Sequence, residues 1–193
     1  MLKGVLANKE NLQPGLSIDC VIFGFHDNQL KVLLIKTKYS EQWALPGGFV
    51  RIDESIDDAA VNVLYGRTGL KGIFLRQFAA FGQANRNPVE TSQKVLNFFG
   101  IPLEEAQWYL SRFVTIGYYA LVDINKVIPQ KSLIDESIEW YNIHEIPPMV
   151  MDHNEILEKA LQTLRNDIDE KLNVFNLLPD KFTIADVQEI YET

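Results

Sequence analysis

Apolar and polar residues follow a strand-like pattern over much of the chain. β-branched and aromatic side chains are concentrated in short runs, and the polar connection from His26 to Gln29 suits a hairpin between the first two runs. A short strand is also expected at Trp43, after a polar loop. The other predicted strands are residues 16–25, 30–37, 73–81, 112–124 and 137–142.

Helical spacing of apolar residues predicts two helices beside these strands. Ser55 suits the N-cap of the first helix with Asp58 three residues on, and Gly69 suits its C-terminal cap. Asp152 and Glu155 form a capping box that opens the second helix. The apolar face of that helix consists of Ile156, Leu157, Ala160, Leu161 and Leu164. Strands followed by helices predict an α/β (α+β) fold in which helices cover a sheet.

Composition and charge fit a compact domain with an appendage. The chain has 193 residues, 47% of them hydrophobic, and a net charge of -8. This charge argues against a generally basic nucleic-acid-binding surface. The single cysteine, Cys20, lies in an apolar run and is expected to be a buried hydrophobe in a reducing compartment. With neither a signal-peptide pattern nor an apolar segment of membrane-spanning length, the sequence predicts a cytoplasmic protein without membrane contact.

Residues 48–70 carry charged, apolar and glycine residues at a characteristic spacing. The segment reads GFVRIDESIDDAAVNVLYGRTGL. It resembles the Nudix box, G-x5-E-x7-R-E-U-x-E-E-x-G-U, in which U is a bulky aliphatic residue. The matching positions are Gly48, Glu54, Leu64, Gly69 and Leu70. Where the box has Arg, Glu, Glu and Glu, the chain has Asn62, Val63, Gly66 and Arg67.

The missing glutamates are the residues that would hold metal ions. Mg²⁺ needs oxygen ligands, chiefly carboxylates, if it is to neutralise a diphosphate and activate water. Positions 63, 66 and 67 share one side of a helix and here carry an aliphatic side chain, no side chain and a cation. The positive charge of Arg67 would repel Mg²⁺. The sequence therefore predicts no catalytic residue, no metal ligand and no cofactor.

A Mg²⁺-dependent Nudix hydrolase of nucleoside diphosphate derivatives is the alternative. It would need replacement ligands among Asp53, Glu54, Asp57 and Asp58. Asp58 lies on roughly the opposite side of a helix from Arg67, which argues against such a site. A third possibility is an interaction module that binds no ligand.

Further segments extend the resemblance over nearly all of residues 16–193. They are SIDCVIFGF, WALPGGFV, DESIDDAA, TGL, YYALV, the Asp-His pair that opens the last long helix, and LLPDKFTIADVQEIYE. Together they resemble the Nudix-related transcriptional regulators, including the arabinose-responsive members in Bacteroidetes. The resemblance implies a Nudix α/β/α sandwich with a mixed sheet. It also implies a catalytically silent domain that binds a sugar, a sugar phosphate or an ADP-ribose-like metabolite, and a winged helix that binds DNA.

The predicted organisation has three parts and one insertion. Residues 1–15 form a tail, residues 16–171 the Nudix-like domain, and residues 172–193 a linker with the first helix of a truncated winged helix. The rest of the DNA-binding domain would lie beyond Thr193. The resemblance also implies a homodimer in which effector and DNA affinities are coupled. The insertion at residues 89–111 is expected to form two short helical pieces, the first ending at Gly100 and the second beginning at Pro102. It is expected to pack on the core or on a dimer partner, with a lid over the pocket as the alternative.

Four residues are the candidates for binding the effector. The box places Glu54 and Arg67 there, whereas Arg86 comes from the loop that follows and Tyr118 from the strand at residues 112–124. The arginines would pair with phosphate or hydroxyl oxygens. The tyrosine would stack on a sugar or a base.

A glycine pair and a histidine near these candidates have simpler interpretations. Gly47 and Gly48 are expected to form a tight turn, although their backbone amides could also approach an anion. His153 is expected to be a first-turn residue of the last long helix, with a place in the ligand pocket as the alternative.

Overall fold

The computed structural model describes residues 9–26, 29–86 and 89–170. Its strands are β1 (Leu12–His26), β2 (Gln29–Thr37), β3 (Trp43–Ala44), β4 (Gly47–Arg51), β5 (Arg76–Phe81), β6 (Val114–Asp123) and β7 (Asp135–Asn142). Its α-helices are α1 (Ile56–Thr68), α2 (Val89–Phe99) and α3 (His153–Glu170). Short 3₁₀ turns lie at Lys9–Asn11, Leu103–Glu105, Gln107–Leu110 and Ile124–Lys126.

The described strands form one mixed, seven-stranded sheet. β1 lies at its centre, where it runs parallel to β6 and antiparallel to β2. β4 pairs with the first half of β1, β5 pairs with β6, and β3 and β7 both pair with β2, all antiparallel. The mixed sheet confirms the predicted α/β architecture.

β1 and β2 form the predicted hairpin, in which His26 pairs with Gln29. β1 begins at Leu12, which is 8% exposed and pairs with Arg51 of β4. The sheet therefore begins before residue 16, the predicted start of the domain.

Each face of the sheet is covered by one long helix. Side chains alternate between the two faces along every strand, so neighbours on β1 and β6 belong to different layers. The layer under α1 contains Ile18, Cys20, Ile22, Leu33, Tyr118, Ala120 and Val122, with Ala59, Ala60 and Leu64 of the helix. The layer under α3 contains Val21, Phe23, Leu30, Val32, Leu34, Tyr119 and Leu121, with Ile156, Leu157, Ala160, Leu164 and Ile168 of the helix. This arrangement is the predicted α/β/α sandwich.

The caps of α1 confirm the local sequence signals. Ser55 Oγ accepts a hydrogen bond from the Asp58 backbone N–H at 3.1 Å, and the Ser55 hydroxyl donates to Asp58 Oδ2 at 2.7 Å. At the other end, Gly69 has a φ of 72° and its N–H donates to the carbonyl of Tyr65. A left-handed residue after the last turn is the usual place for glycine.

Gly47 and Gly48 begin β4 and do not form a tight turn, so that expectation was wrong. Gly47 pairs with Asp19 of β1. A Cβ at residue 47 would lie 2.5 Å from Asp19 Oδ1 and 2.9 Å from the carbonyl oxygen of Ile18. The glycine is therefore needed because β4 passes close to β1, and turn geometry has no part in it.

The insertion at residues 89–111 packs on the edge of the sheet. α2 ends before Gly100, which has a left-handed φ of 63°. Trp108 and Tyr109 contact Phe49 of β4, with ring centroids 5.7 and 6.1 Å apart. The insertion also has an apolar cluster of its own, formed by Leu96, Phe99, Ile101, Ala106, Trp108, Tyr109 and Leu110. These contacts agree with the expectation of an insertion packed on the core.

The predicted linker and helix at residues 172–193 lie outside the described residues. Cys20 is buried, as its apolar surroundings predicted. Within the part of the chain that the structure describes, every helix is too short or too polar to cross a membrane.

Candidate functional site

Glu54 lies in the loop between β4 and α1, and both of its carboxylate oxygens are hydrogen-bonded. Oε1 accepts from the Arg51 backbone N–H at 2.8 Å, and Oε2 accepts from Asn62 Nδ2 at 3.0 Å. Asn62 is one of the box positions that depart from the motif. The carboxylate therefore ties the loop to the helix that follows it.

Arg67, in the last turn of α1, forms an ion pair with Asp135 at the start of β7. The Asp135 side chain is 0% exposed, and its Oδ2 also accepts from the Ser132 backbone N–H at 2.6 Å. The Arg67 carbonyl accepts from the backbone N–H of Gln130 at 3.0 Å. The charge of Arg67 is thus offset inside the protein, where it fastens α1 to the segment that leads into β7.

Tyr118 is a core residue of the layer under α1. It is 1% exposed, its hydroxyl donates to Asp57, and the hydroxyl oxygen lies 3.3 Å from Gln77 Oε1. Burial raises the pKa of Tyr118, and the hydrogen bond to Asp57 raises it further. The hydroxyl is therefore a protonated donor in a structural hydrogen bond, and the ring is enclosed by the core.

Arg86 follows β5. Its partner Asp19 lies on β1 between Ile18 and Cys20, whose side chains face α1. Because side chains alternate along a strand, Asp19 and Arg86 lie on the other face of the sheet. The Arg86 side chain is 3% exposed. Nε donates to Asp152 Oδ2 at 2.7 Å, and Nη2 donates to Asp19 Oδ2 at 3.1 Å. One buried cation is held between two carboxylates, which offset the cost of removing its charge from water.

His153, the first residue of α3, also belongs to this cluster. Its Nδ1 accepts from the Leu45 backbone N–H at 2.9 Å, which places the proton of the neutral ring on Nε2. Nε2 lies 3.9 Å from Asp19 Oδ1, beyond hydrogen-bond distance. Burial lowers the pKa of His153, and nearby Arg86 lowers it further, whereas Asp19 and Asp152 oppose the shift. The ring is therefore neutral at pH 7.

A cleft of about 180 Å³ opens beside this cluster. It is lined by Gln83, Asn85, Arg86, Met151 and Asp152. Met151 has a φ of 48°, which is uncommon for a residue other than glycine and is found more often at ligand sites. Asp152 Oδ1 is buried and has no hydrogen-bond partner in the described part of the chain. The cleft therefore lies beside a paired buried charge and a residue with an unusual backbone conformation.

The four sequence candidates are not brought together by the structure. Glu54 and Arg67 lie at opposite ends of α1 and Tyr118 lies beneath that helix, whereas Arg86 is on the other face of the sheet. Their part in binding an effector stays a prediction.

Asp19 and Asp152 were missed as site residues by sequence reasoning. A charged side chain inside the apolar run at residues 16–25 was the available signal for Asp19. Asp152 was assigned to helix capping alone, and the structure shows that its carboxylate also accepts from Arg86.

The chain matches the NUDIX domain family model over residues 13–161. The chain belongs to the Nudix family. A curated relative of this Nudix protein is the ADPR responsive transcriptional repressor NtrR of Acinetobacter baylyi, which is 30% identical over 186 residues. The match covers 93% of the chain and 66% of the relative, so the chain spans just under two thirds of the relative's length.

Two solved structures share the Nudix fold of the chain. The NUDIX domain of Shewanella oneidensis NrtR complexed with ADP ribose is 25% identical with a TM-score of 0.60, and the match covers 85% of the chain and 99% of that domain. NrtR of the same organism complexed with a 27mer DNA is 24% identical with a TM-score of 0.64, covering 92% of the chain and 74% of that protein. The Acinetobacter baylyi relative and the Shewanella oneidensis NUDIX domain confirm the predicted resemblance to Nudix-related transcriptional regulators.

The Mg²⁺ site that the Nudix box implies does not fit the residues of this Nudix domain. Val63 packs against Gly48, since a Cβ at residue 48 would lie 3.0 Å from Val63 Cγ2. Gly66 offers no ligand atom, and Arg67 is paired with Asp135. Within residues 9–26, 29–86 and 89–170, no group of three or more His, Cys, Asp or Glu side chains is placed to hold a metal ion. Of the acidic positions that the box motif prescribes, the chain keeps only Glu54, which already accepts two hydrogen bonds.

Proposed function

We propose that this Nudix domain senses ADP-ribose or a chemically similar metabolite without cleaving it, as the effector domain of a transcriptional regulator. The observation that carries the proposal is the Arg67–Asp135 ion pair. Arg67 stands at the position where the Nudix box has a metal-binding glutamate, and its charge is already paired inside the protein. Recognition without hydrolysis requires a pocket but no metal, so the proposal includes no cofactor.

The relatives support both the effector and the regulatory role. The Acinetobacter baylyi protein is described as an ADPR responsive transcriptional repressor, and the Shewanella oneidensis NUDIX domain was crystallised with ADP ribose. The sequence left a sugar, a sugar phosphate and an ADP-ribose-like metabolite open. The relatives favour the last of these.

DNA is the second partner in the proposal. The Shewanella oneidensis protein complexed with a 27mer DNA supports this partner. A net charge of -8 argues against a general basic surface on the chain, so we assign DNA binding to a winged-helix domain C-terminal to α3. The proposal places this regulator in the cytoplasm as a homodimer.

The helix α3 is suited to connect the effector site with a C-terminal domain. At its start, Asp152 accepts from Arg86 at the cleft. Near its end, the buried carboxylate of Asp167 accepts from the Tyr119 hydroxyl and forms an ion pair with Arg76. An effector that changes the contacts of Asp152 would change the position of α3, and effector and DNA affinities would then be reciprocally coupled.

Calorimetric titration with ADP-ribose, together with an assay of AMP release, tests the proposal. We expect ADP-ribose to bind with the same Kd in Mg²⁺ and in EDTA, and AMP release to stay at the level of a protein-free control. Mg²⁺-dependent AMP release that Glu54→Gln abolishes would favour the hydrolase instead. The absence of binding by ADP-ribose, pentoses and sugar phosphates would favour the ligand-free interaction module.

A further inference from the structure

We propose that Met151 is a site of reversible oxidation, at which a peroxide converts the thioether to a sulfoxide and thereby weakens effector binding in the cleft beside Arg86. This inference rests on the proposed function and concerns the same site. It assigns to that site a chemical modification that controls its affinity for the effector.

The two methionines that the structure describes differ in exposure. Met151 is 39% exposed, whereas Met149, two residues earlier, is 4% exposed and belongs to the apolar layer under α3. An oxidant must reach the sulfur before it can react, so oxidation follows exposure. A peroxide in solution should therefore react with Met151 and spare Met149.

The modification requires only the thioether and the oxidant. A sulfur lone pair attacks one peroxide oxygen, so that an S–O bond forms while the O–O bond breaks. The sulfur is oxidised by two electrons and the peroxide is reduced by two. With hydrogen peroxide, the departing oxygen takes up the proton of the transferred oxygen and leaves as water. The product is a polar sulfoxide, which methionine sulfoxide reductases convert back to the thioether.

Met151 supplies the apolar part of the cleft. Of the five described residues that line the cleft, Met151 alone is apolar, whereas the others are Gln83, Asn85, Arg86 and Asp152. The volume of about 180 Å³ is below the roughly 300–1,000 Å³ of pockets that enclose a whole drug-sized ligand, so one ring of an ADP-ribose-like molecule can enter. A methionine sulfur makes favourable contacts with aromatic rings such as adenine. A sulfoxide would place a polar oxygen on the one apolar surface that such a ring contacts.

The backbone at Met151 is in a conformation that a side chain disfavours. Its φ of 48° is the one positive value among the described residues other than glycine. Glycine adopts this conformation without strain, whereas a Cβ makes it less favourable. Strained residues of this kind are concentrated at ligand sites, which supports a role for the methionine side chain in the cleft.

Cys20 does not compete for the oxidant. It is buried, and burial raises the pKa of its thiol, which therefore stays protonated at neutral pH. The thiolate is the form that reacts, so Cys20 should stay reduced. Methionine sulfoxide reductases act on methionine sulfoxide, so recovery with these enzymes identifies a methionine as the oxidised residue.

Peptide mass mapping after treatment of the folded chain with hydrogen peroxide tests the modification. We expect Met151 to gain one oxygen atom while Met149 stays unmodified, and both to react alike after unfolding in urea. ADP-ribose should slow the reaction at Met151, because the bound ring would cover the sulfur. Equally fast oxidation of both methionines in the folded chain, or a rate at Met151 that ADP-ribose leaves unchanged, would overturn the inference.

Calorimetric titration of the oxidised chain with ADP-ribose tests the effect on binding. We expect the Kd to rise by about threefold to tenfold, as for the loss of one sulfur–aromatic contact. It should return to the untreated value after incubation with reductases for both sulfoxide epimers. An unchanged Kd, or a raised Kd that the reductases do not lower, would refute the inference and leave the proposed function intact. If the untreated chain does not bind ADP-ribose, both proposals fail.

Two leucine variants assign the effect to one residue. Met151→Leu keeps an apolar side chain but has no sulfur, so peroxide treatment should leave its Kd at the value of the same variant before treatment. Met149→Leu is the matched control and should lose affinity on oxidation as the unmodified chain does. A Met151→Leu variant that still loses affinity on oxidation, or a folded Met149→Leu variant that does not, would refute the role of Met151.

Discussion

Arg67 and Asp135 form an ion pair that joins the last turn of α1 to the first residue of β7. In the Nudix box, residue 67 would be a metal-binding glutamate, whereas here its side chain stabilises the contact between α1 and β7. A glutamate at residue 67 would lie beside the buried carboxylate of Asp135, and two neighbouring carboxylates repel each other. The substitution Arg67→Glu would therefore destabilise the domain, although it would restore one metal-binding side chain.

Arg67→Met should lower the free energy of unfolding by about 3 kcal/mol, because it leaves the enclosed carboxylate of Asp135 without its cation. Unfolding in urea, followed by circular dichroism, measures the change. Arg51→Met is the matched control, since Arg51 pairs with Asp53 at the surface, with side chains 59% and 65% exposed. Exposed pairs of this kind contribute little. Equal stability of the two variants would contradict the structural role of Arg67.

His153 makes the stability of the domain depend on pH. Burial lowers its pKa from 6.5, so the unfolded chain binds the proton at a higher pH than the folded protein. Between these two pKa values the unfolded state holds more protons. The free energy of unfolding therefore receives the full benefit of the neutral ring above about pH 7 and loses it as the pH falls from about 6.5 through the folded pKa.

His153→Asn isolates this effect, because an asparagine oxygen can accept from the Leu45 backbone N–H and does not titrate in this range. Urea unfolding of both proteins at several values from about pH 5 to about pH 7.5 gives the comparison. We expect the stability of the unmodified protein to fall more steeply toward low pH than that of the variant. Parallel curves would show that His153 does not carry the pH dependence.

Local signals were sufficient to predict the helices, whereas the site depends on contacts between distant segments. The caps of α1 at Ser55 and Gly69 act within a few residues of the chain, so their sequence pattern predicted the structure. The Arg86–Asp19 contact joins residues 67 positions apart. A single sequence does not show which distant residues pair, so Arg86 was a candidate but its partner was missed.

The error at Gly47 has a similar cause. Paired glycines occur both in turns and where two backbones approach closely, and only the neighbouring strand distinguishes the two. That strand carries Asp19, which also belongs to the cluster around Arg86. Both the partner of Arg86 and the conformation of Gly47 therefore depend on where β1 lies, which a single sequence does not show.

The Tyr119 hydroxyl donates to the buried carboxylate of Asp167 and thereby fastens the end of α3 to β6. Tyr119→Phe removes this donor and should lower the free energy of unfolding by about 1–2 kcal/mol. Amide hydrogen exchange in the last turns of α3 should become faster. Tyr65→Phe is the control, because Tyr65 is 43% exposed on α1 and its ring contact with Lys71 persists in phenylalanine. Unchanged exchange in α3 would show that the hydrogen bond does not hold the helix.

Gly47 and Gly66 should respond to the same substitution in opposite directions. A Cβ at residue 47 would lie 2.9 Å from the backbone carbonyl oxygen of Ile18, which can move only with β1, so Gly47→Ala should destabilise the domain by about 1–3 kcal/mol. A Cβ at residue 66 would meet no atom within 4 Å, and alanine favours a helix over glycine. Gly66→Ala should therefore stabilise the domain by about 0.5–1 kcal/mol.

Thermal and urea unfolding of both alanine variants measure these changes, and the pair separates steric contact from the general effect of removing a glycine. Gly47→Ala should also weaken ADP-ribose binding, since the Cβ would lie 2.5 Å from Asp19 Oδ1 and displace the carboxylate that holds Arg86. Gly66→Ala should leave that affinity unchanged, because it adds its methyl group to open space on α1. A stable Gly47→Ala variant with normal affinity would show that the close approach of β4 to β1 is not required.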